Sequence, residues 1–417
     1  MGAWWTDRLP PAISFRVQPI LKVAGTAPGT AAGTAPPKAA GRDHTADGLR
    51  GLAAVTVFLA HFVLTFFPRG FDRIVPGLQT SPAADGAIEH VLRLPFISVL
   101  WNGSSVCIFF ALSGYVLSQP YYFGNRLEAL RERHLKRYLR LGIPIAASVF
   151  IGYVLLKFGW FSNHAVATTV SHSDWLNGYY AFQPGFTDAL RDATYRVMLL
   201  GFDRYNPPLW TMKIEFIGSL ITLSFYTLMP AQGVWRKVIH YAIAVLSIGV
   251  LANKDAIFYY AFLLGGLIWV LPKPRGAFKW LLLAGAWFLD SFQHDGLFGW
   301  MPNPVVWDER YSYAVLAAFL ILWFLRSGAW DSFLGSSPMR VLGRVAYSIY
   351  LTHFFVLCTF SCWFCLLLQA RVPRAVWASA DLVLSALLIF AVGWVYERVV
   401  DRSGMQFSQW FVRGLSA

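Results

Sequence analysis

Long runs of apolar residues, separated by shorter polar connections, fill the chain from about residue 44 onward. Ten of these runs approach the roughly 17–25 residues that a helix needs to cross a lipid bilayer. They lie near 49–67, 96–117, 141–160, 208–229, 234–251, 256–271, 278–292, 311–325, 345–369 and 376–396. This pattern predicts an all-α polytopic membrane protein with about ten transmembrane helices.

Composition supports that prediction, because 56% of the residues are hydrophobic and only 14% are charged, which is too apolar for a soluble globule. The net charge of +13 would suit a nucleic-acid-binding protein if the chain were soluble. Here the basic residues lie between apolar runs, where Lys and Arg mark the connections that stay on the cytoplasmic side of a membrane. We therefore expect the lipid bilayer as a partner and no nucleic acid.

The distribution of Lys and Arg predicts the orientation of the chain. The connection 119–140 carries six basic residues, and positively charged connections remain in the cytoplasm. Both termini are then cytoplasmic. Residues 1–43 are rich in Ala, Gly, Thr and Pro without a signal-peptide core, and are predicted to be a disordered tail. Residues 44–400 form the transmembrane domain and 401–417 a short C-terminal tail, in the plasma (inner) membrane or, in a eukaryote, an endomembrane.

Three ionisable residues lie deep in predicted spans, namely His61 in the first, Glu215 in the fourth and His353 in the ninth. Such groups are costly in a membrane and usually functional, although a histidine can also serve packing by hydrogen bonding across helices. The helical rise puts all three roughly 12–20 Å from the cytoplasmic face. A histidine beside a carboxylate can act as a general base with its orienting partner. The four cysteines have no second ligand group, so we expect no metal.

Cationic residues near the predicted cytoplasmic face form a second candidate site. Arg50 precedes His61 by eleven residues, which places the two about 20° apart in azimuth and roughly 16 Å apart in depth on one helix. Arg133, Arg137 and Arg140 share one helical face and could bind phosphates. Alternatively, the same charges could serve only to orient the chain in the membrane and to attract lipid headgroups, without binding a ligand.

The predicted outer connection 161–206 is aromatic and acidic, with Trp175 and Tyr179 among its rings. It could bind a sugar or another polar acceptor, or it could be a cap at the membrane interface.

Five short motifs follow one another along the chain. They are DGLRGLAA at 47–54 with its histidine at 61, FFALSGY at 109–115, RYLRLGIP at 137–144, WTMKIEF at 210–216 and GRVAYSIYLTH at 343–353. In this order they resemble the signatures of the acyltransferase 3 family of integral membrane acyltransferases. Ser113, Gly114 and Trp210 are motif residues in this resemblance. Lys213 within the fourth motif and one extra residue before Pro144 depart from the family pattern.

The resemblance implies transfer of an acyl group, often acetyl, from cytoplasmic acyl-coenzyme A to a hydroxyl of a carbohydrate, a lipid or glycolipid, or a secondary metabolite. It implies that His61 is the catalytic histidine, that Arg50 is its partner and that Arg137 and Arg140 lie at the coenzyme. Glu215, Tyr350 and His353 would line the site.

Our leading hypothesis is therefore an acyl-CoA-dependent O-acyltransferase in which His61 deprotonates the acceptor hydroxyl and Glu215 or His353 orients it. Tyr347, Ser348 and Tyr350 are candidate hydrogen-bond donors to the thioester oxygen. The alternative is a multi-pass transporter of a glycan or small molecule, with the buried His and Glu residues as a proton relay. An enzyme of the separate membrane-bound O-acyltransferase type is a third possibility. Neither the acceptor nor the oligomeric state follows from the sequence.

Overall fold

The computed structural model describes residues 43–75, 78, 86–100, 103–123, 126–230, 232–294, 296–301 and 309–416. The tail predicted for residues 1–43 lies outside this part of the chain, apart from Asp43. The carboxylate of Asp43 accepts a hydrogen bond from the backbone N–H of Ala46 and so caps the first helix.

Eleven long helices make up most of the described chain. They are α1 (His44–Phe66), α2 (Ser104–Phe123), α3 (Arg126–Lys157), α4 (Trp210–Leu228), α5 (Val234–Leu251), α6 (Ala256–Leu267), α7 (Phe278–Asp290), α8 (Glu309–Leu325), α9 (Ser337–Val356), α10 (Arg374–Tyr396) and α11 (Arg402–Ser416). The described residues contain no β-strand, which confirms the all-α class. Each of the ten predicted windows overlaps one of the helices α1 to α10, although windows 96–117 and 345–369 are displaced by several residues from α2 and α9.

Short helical segments complete the fold. Those outside the long helices are Pro68–Phe71, Ala87–Leu92, Pro95–Ser98, Asn163–Val166, Ala167–Ser171, Asp174–Asn177, Phe186–Arg191, Asp192–Leu200, Pro207–Leu209, Asn253–Asp255, Ile268–Val270, Gly296–Phe298 and Asp331–Leu334. Helix α9 continues through a π-helical turn, Leu357–Ser361, into Cys362–Leu368, and α10 continues through Glu397–Asp401 into α11.

Six helical stretches of the described chain are long and apolar enough to cross a membrane by length and composition. They are His44–Phe66, Ser104–Phe123, Leu130–Lys157, Val234–Leu251, Ser337–Leu368 and Arg374–Gly414. Shorter apolar helices lie at Ala256–Val270 and Tyr311–Leu325. The count of ten spans and the cytoplasmic position of the termini stay predictions.

Helices α1 and α9 approach each other closely because glycines line their contact. A Cβ atom on Gly343 of α9 would overlap the backbone carbonyl of Asp47 in α1. A Cβ atom on Gly51 would come within 2.7 Å of the backbone nitrogen of Gly343. Small residues at such contacts allow helix backbones to pack directly against each other. This contact brings the two histidine-bearing helices together.

The motif glycine Gly114 has the same role between α2 and α6. A Cβ atom there would overlap the backbone carbonyl of Phe262, and one on Gly265 would overlap that of Ala111. The FFALSGY motif therefore holds α2 against α6, with Phe110 stacked on Phe262 in the core.

The segment 401–417, predicted to be a short tail, is helical up to Ser416. Gly404 of α11 packs against Ile143 and Pro144 of α3, where its small size allows the contact. The preceding π-helical turn offsets the helix by one residue, and such turns often occur at functional sites. The C-terminal helix thereby becomes part of the wall of the cavity described next.

Candidate active site

His61 and His353 form a direct pair between α1 and α9. His353 Nε2 lies 3.0 Å from His61 Nδ1, and the two ring centroids are 5.0 Å apart. His353 is fully buried, whereas His61 keeps part of its surface accessible. The sequence placed the two residues at a similar depth, and the structure brings them into contact.

Backbone carbonyls determine where the protons of this pair reside. His353 Nδ1 lies 3.1 Å from the carbonyl of Ile349, which can only accept, so Nδ1 carries the proton and Nε2 a lone pair. His61 Nδ1 faces that lone pair and also the carbonyl of Val57 at 3.0 Å, so it too carries a proton. His61 Nε2 is then the unprotonated nitrogen, and no described protein group hydrogen-bonds it. This tautomer is the one a general base requires.

Aromatic rings surround the remaining surface of His61. Trp175 is stacked on the imidazole with centroids 6.0 Å apart and planes 21° apart, and Phe354 meets it edge-on at 5.5 Å. Trp175 belongs to the connection 161–206, which therefore reaches the ring of His61.

Two of the four acidic residues of that connection form ion pairs within it. Asp192 accepts from Arg204 at 3.1 Å and from Arg196 at 3.4 Å, and Asp188 pairs with the same two arginines. The hydrogen bond from Arg196 is the main cause that lowers the pKa of the Asp188 carboxyl. Asp203 is half-buried, and this burial raises its pKa to about 6.

A cavity of about 660 Å³ opens beside the pair, among α1, α2, α3, α4, α9 and the C-terminal helix. Its lining combines arginines with carboxylates. The arginines are Arg50, Arg137, Arg140, Arg344 and Arg402, and the carboxylates are Asp43, Asp47, Glu215, Glu397 and Asp401. Arg50 pairs with Asp47 at 3.2 Å, and Arg402 pairs with Glu397 at 3.4 Å.

Glu215 and Arg137 form an ion pair in the wall of this cavity, with side chains 12% and 10% exposed. Ser113 donates a hydrogen bond to Glu215 at 2.7 Å, and Arg137 Nε donates to Ser219 at 2.7 Å. Such a buried pair requires additional hydrogen bonds to offset the loss of hydration. Three of the five motifs therefore meet in this cluster, which explains Ser113 and places Glu215 beside Arg137.

Arg140 and Arg344 differ from the other arginines of the lining. Both side chains are exposed, and neither forms a salt bridge or side-chain hydrogen bond with another described residue. They can thus contact an anion at the mouth of the cavity without first breaking an ion pair, although the carboxylate of Asp401 interacts electrostatically with Arg140. Arg344 lies inside the fifth motif but is not among the site residues predicted from the sequence.

Tyr350 separates the cavity from the histidine pair. Its ring lines the cavity, meets Phe109 edge-on at 5.7 Å and lies 5.9 Å from the ring of His353. Its hydroxyl lies 3.0 Å from the carbonyl of Pro208 and 2.8 Å from Thr211 Oγ1. Tyr350 therefore lies between the cavity and the histidine pair.

The hydroxyl groups predicted to contact the thioester differ in their partners. The Tyr347 hydroxyl also lines the cavity and donates to the carbonyl of Leu141 at 3.3 Å. Ser348 is fully buried, and its Oγ has no hydrogen-bond partner among the described groups.

Several residues singled out in the sequence lie outside this cavity lining. Arg133 donates to the carbonyl of Val116 at 2.7 Å, near the end of α2. Lys213 pairs with Asp255 at 2.5 Å, which accounts for the lysine within the fourth motif. Trp210 packs against Phe258 with centroids 5.7 Å apart. The described residues include no group of three His, Cys, Asp or Glu side chains arranged to hold a metal ion.

Comparison with known proteins identifies the class of this helical protein. The profile of the acyltransferase 3 family, described as an acyltransferase domain, matches residues 43–398, so the chain belongs to that family. This match confirms the resemblance carried by the five motifs.

Named relatives agree with the family. The chain is 27% identical over 259 residues to acyltransferase clz18 of Cochliobolus lunatus, covering 51% of this chain and 55% of the relative. It is 24% identical over 258 residues to acyltransferase R4 of a Phoma species, with the same coverage. It is 27% identical over 204 residues to O-acetyltransferase PaAT-1 of Phomopsis amygdali, covering 43% of this chain and 39% of the relative. The chain thus matches about half the length of the first two relatives, and no solved structure matches it.

Proposed function

We propose that this protein is a membrane O-acyltransferase that moves an acyl group, with acetyl as the first candidate, from acyl-CoA to the hydroxyl of an acceptor molecule. The observation that carries the proposal is the His61–His353 pair. It leaves His61 Nε2 unprotonated and separated by Tyr350 from a cavity lined with arginines.

The cavity supports an anionic donor at its mouth. Coenzyme A carries several phosphate charges, and guanidinium groups bind phosphate through charge-assisted hydrogen bonds. Arg140 and Arg344 are exposed and unpaired among the described residues, so they can bind phosphate without first breaking an ion pair. The donor then enters from the side on which α1 begins, which is cytoplasmic if the predicted orientation holds.

The reaction follows from the tautomer of His61. Its Nε2 takes the proton of the acceptor hydroxyl while the oxygen attacks the thioester carbonyl. The new C–O bond forms, the C–S bond breaks, and the departing thiolate receives the proton from Nε2. The products are an ester and free coenzyme A. His353 holds the Nδ1 proton of His61 by accepting its hydrogen bond, so the residue acts by positioning.

Release of free thiol from acetyl-CoA in membranes containing the protein tests this assignment. The variant His61→Ala should lower the turnover by about 10²–10⁴-fold, because it removes the general base. His240→Ala is the matched control, since His240 hydrogen-bonds the carbonyl of Phe225 away from the cavity. Normal thiol release in His61→Ala would refute the catalytic role of His61. Movement of a solute without any thioester cleavage would instead favour a transporter.

A further inference from the structure

The connection 161–206 holds one short segment in an unusual backbone conformation. Among the described residues other than glycine, His172 and Tyr180 have positive φ angles, of 50° and 64°. The left-handed region is sparsely populated for such residues and persists where the surrounding structure enforces it. These two residues flank the segment 173–179, which contains Trp175. The backbone is therefore constrained on both sides of the tryptophan that stacks on His61.

Buried hydrogen bonds keep this segment in place. Ser173 caps the short helix Asp174–Asn177 by accepting from the backbone N–H of Leu176. Asn163 is fully buried, and its Nδ2 donates to the carbonyls of Leu176 and Tyr179 at 3.0 Å each. Trp175 and Tyr179 nevertheless remain partly exposed. The segment thus presents two rigidly held rings with accessible surface.

The same region contains polar atoms that the protein leaves unsatisfied. Tyr180 Oη, Asn163 Oδ1 and Ser171 Oγ are buried, and none has a hydrogen-bond partner among the described groups. Buried polar atoms without partners are rare in folded proteins and require an explanation such as water or a ligand. The region around the segment therefore retains unused hydrogen-bonding capacity.

Trp175 and the donor cavity approach His61 from different directions. Trp175 lies over the face of the imidazole, whereas His353 occupies its Nδ1 edge. Tyr350, next to His353, lines the cavity, and neither Trp175 nor Tyr179 does. A molecule on Trp175 would therefore reach His61 without passing through the donor cavity.

We infer that Trp175 and Tyr179 form the platform that binds the acceptor, an inference that rests on the proposed function. The acceptor is a lipophilic alcohol with a flat apolar face. The groups around His61 on this side are the rings of Trp175, Tyr179 and Phe354, which contact one another at centroid distances of 5.0, 5.2 and 5.9 Å. Aromatic rings of this kind favour offset stacking or edge contact with another flat surface. A sugar would require many more polar side chains than these three rings offer.

Acetyl transfer from acetyl-CoA to 2-naphthaleneethanol, followed by mass spectrometry, tests the platform. Trp175→Ala should raise the KM for this alcohol about tenfold, because stacking of one ring is lost, and leave the KM for acetyl-CoA unchanged. Trp175→Phe should restore most of the affinity. Trp160→Ala is the matched control, because Trp160 is 61% exposed immediately before the same connection. An unchanged KM for the alcohol, or preferred acetylation of methyl glucoside, would overturn the inference.

Photolabelling provides a readout that does not depend on acyl transfer. A naphthyl alcohol with a diazirine group, used without acetyl-CoA, should label peptides containing 172–180 in the wild-type protein and in Trp160→Ala but not in Trp175→Ala. Labelling of this segment without any acyl transfer would preserve the platform and reject the proposed function. Acyl transfer with labelling confined to the donor cavity would preserve the function and reject the platform.

Discussion

Two backbone carbonyls determine the chemistry available to His61. Those of Ile349 and Val57 fix the protons of both histidines on Nδ1, and the contact between the rings then leaves His61 Nε2 as the basic nitrogen.

Residue types and helical rise were sufficient to predict that His61 and His353 lie at similar depth. Depth is a single coordinate, however, and it did not distinguish His353 from Glu215 as the neighbour of His61. The structure places Glu215 with Arg137 instead.

Replacement of His353 tests its positioning role. His353→Ala should lower kcat by about 10²–10⁴-fold with the KM for acetyl-CoA unchanged, because His61 loses the acceptor that fixes its tautomer. His353→Gln should recover part of the turnover, since its side-chain oxygen can accept from His61 Nδ1. Steady-state kinetics of the three proteins in detergent provide the comparison. Equal losses in both variants would indicate that His353 serves packing alone.

At the scale of helices, glycine contacts decide which spans become neighbours. The apolar windows predicted the helices well, because hydrophobic length is a property of a local stretch. Which helices become neighbours depends on small residues, distant in sequence, that lie opposite each other in the fold, such as Gly51 and Gly343. Helix α11 was missed because its 15 residues are amphipathic rather than continuously apolar, and no proline interrupts the helix between α10 and α11.

Gly343→Ala should disturb the contact between α1 and α9. The added Cβ would overlap the carbonyl of Asp47, so the helices must separate, at a cost of about 1–3 kcal/mol. We expect a lower thermal stability in detergent and reduced acetyl transfer, because the histidines lie on these two helices. Gly414→Ala is the control, since a Cβ there meets nothing within 4 Å. Wild-type stability and activity in Gly343→Ala would contradict this account of the contact.

At the scale of the whole molecule, the cavity is assembled from helices that are far apart in the sequence. We predicted Arg133, Arg137 and Arg140 as donor-binding residues and Arg50 as the partner of His61. The structure places Arg50, Arg137 and Arg140 in one cavity lining and Arg133 outside it. It adds Arg344 and the C-terminal helix, whose contributions depend on how α9 and α11 pack against α3. Packing of this kind has no signature in a single stretch of sequence.

The double variant Arg140→Ala/Arg344→Ala tests the mouth of the cavity. It should raise the KM for acetyl-CoA by about tenfold or more, because hydrogen bonds to charged groups contribute about 1.5–3 kcal/mol each. The KM for S-acetylpantetheine, which lacks the phosphates, should stay the same. Arg398→Ala is the matched control, because that arginine lies over the ring of Trp394. A similar rise for both donors would show that the two arginines do not recognise phosphate.

The different pairing of the arginines has a consequence for the direction in which a donor can travel. Arg140 and Arg344 form no salt bridge with another described residue, whereas the charge of Arg137 is balanced by Glu215. A long molecule that is polyanionic at one end and neutral at the other would bind more strongly with its anionic end at Arg140 and Arg344. Under the proposed function, the phosphates of the donor would bind Arg140 and Arg344, and its uncharged thioester would advance towards Tyr350. A donor inserted the other way round would leave Arg140 and Arg344 without a phosphate to bind, so the cavity would select for orientation as well as for charge.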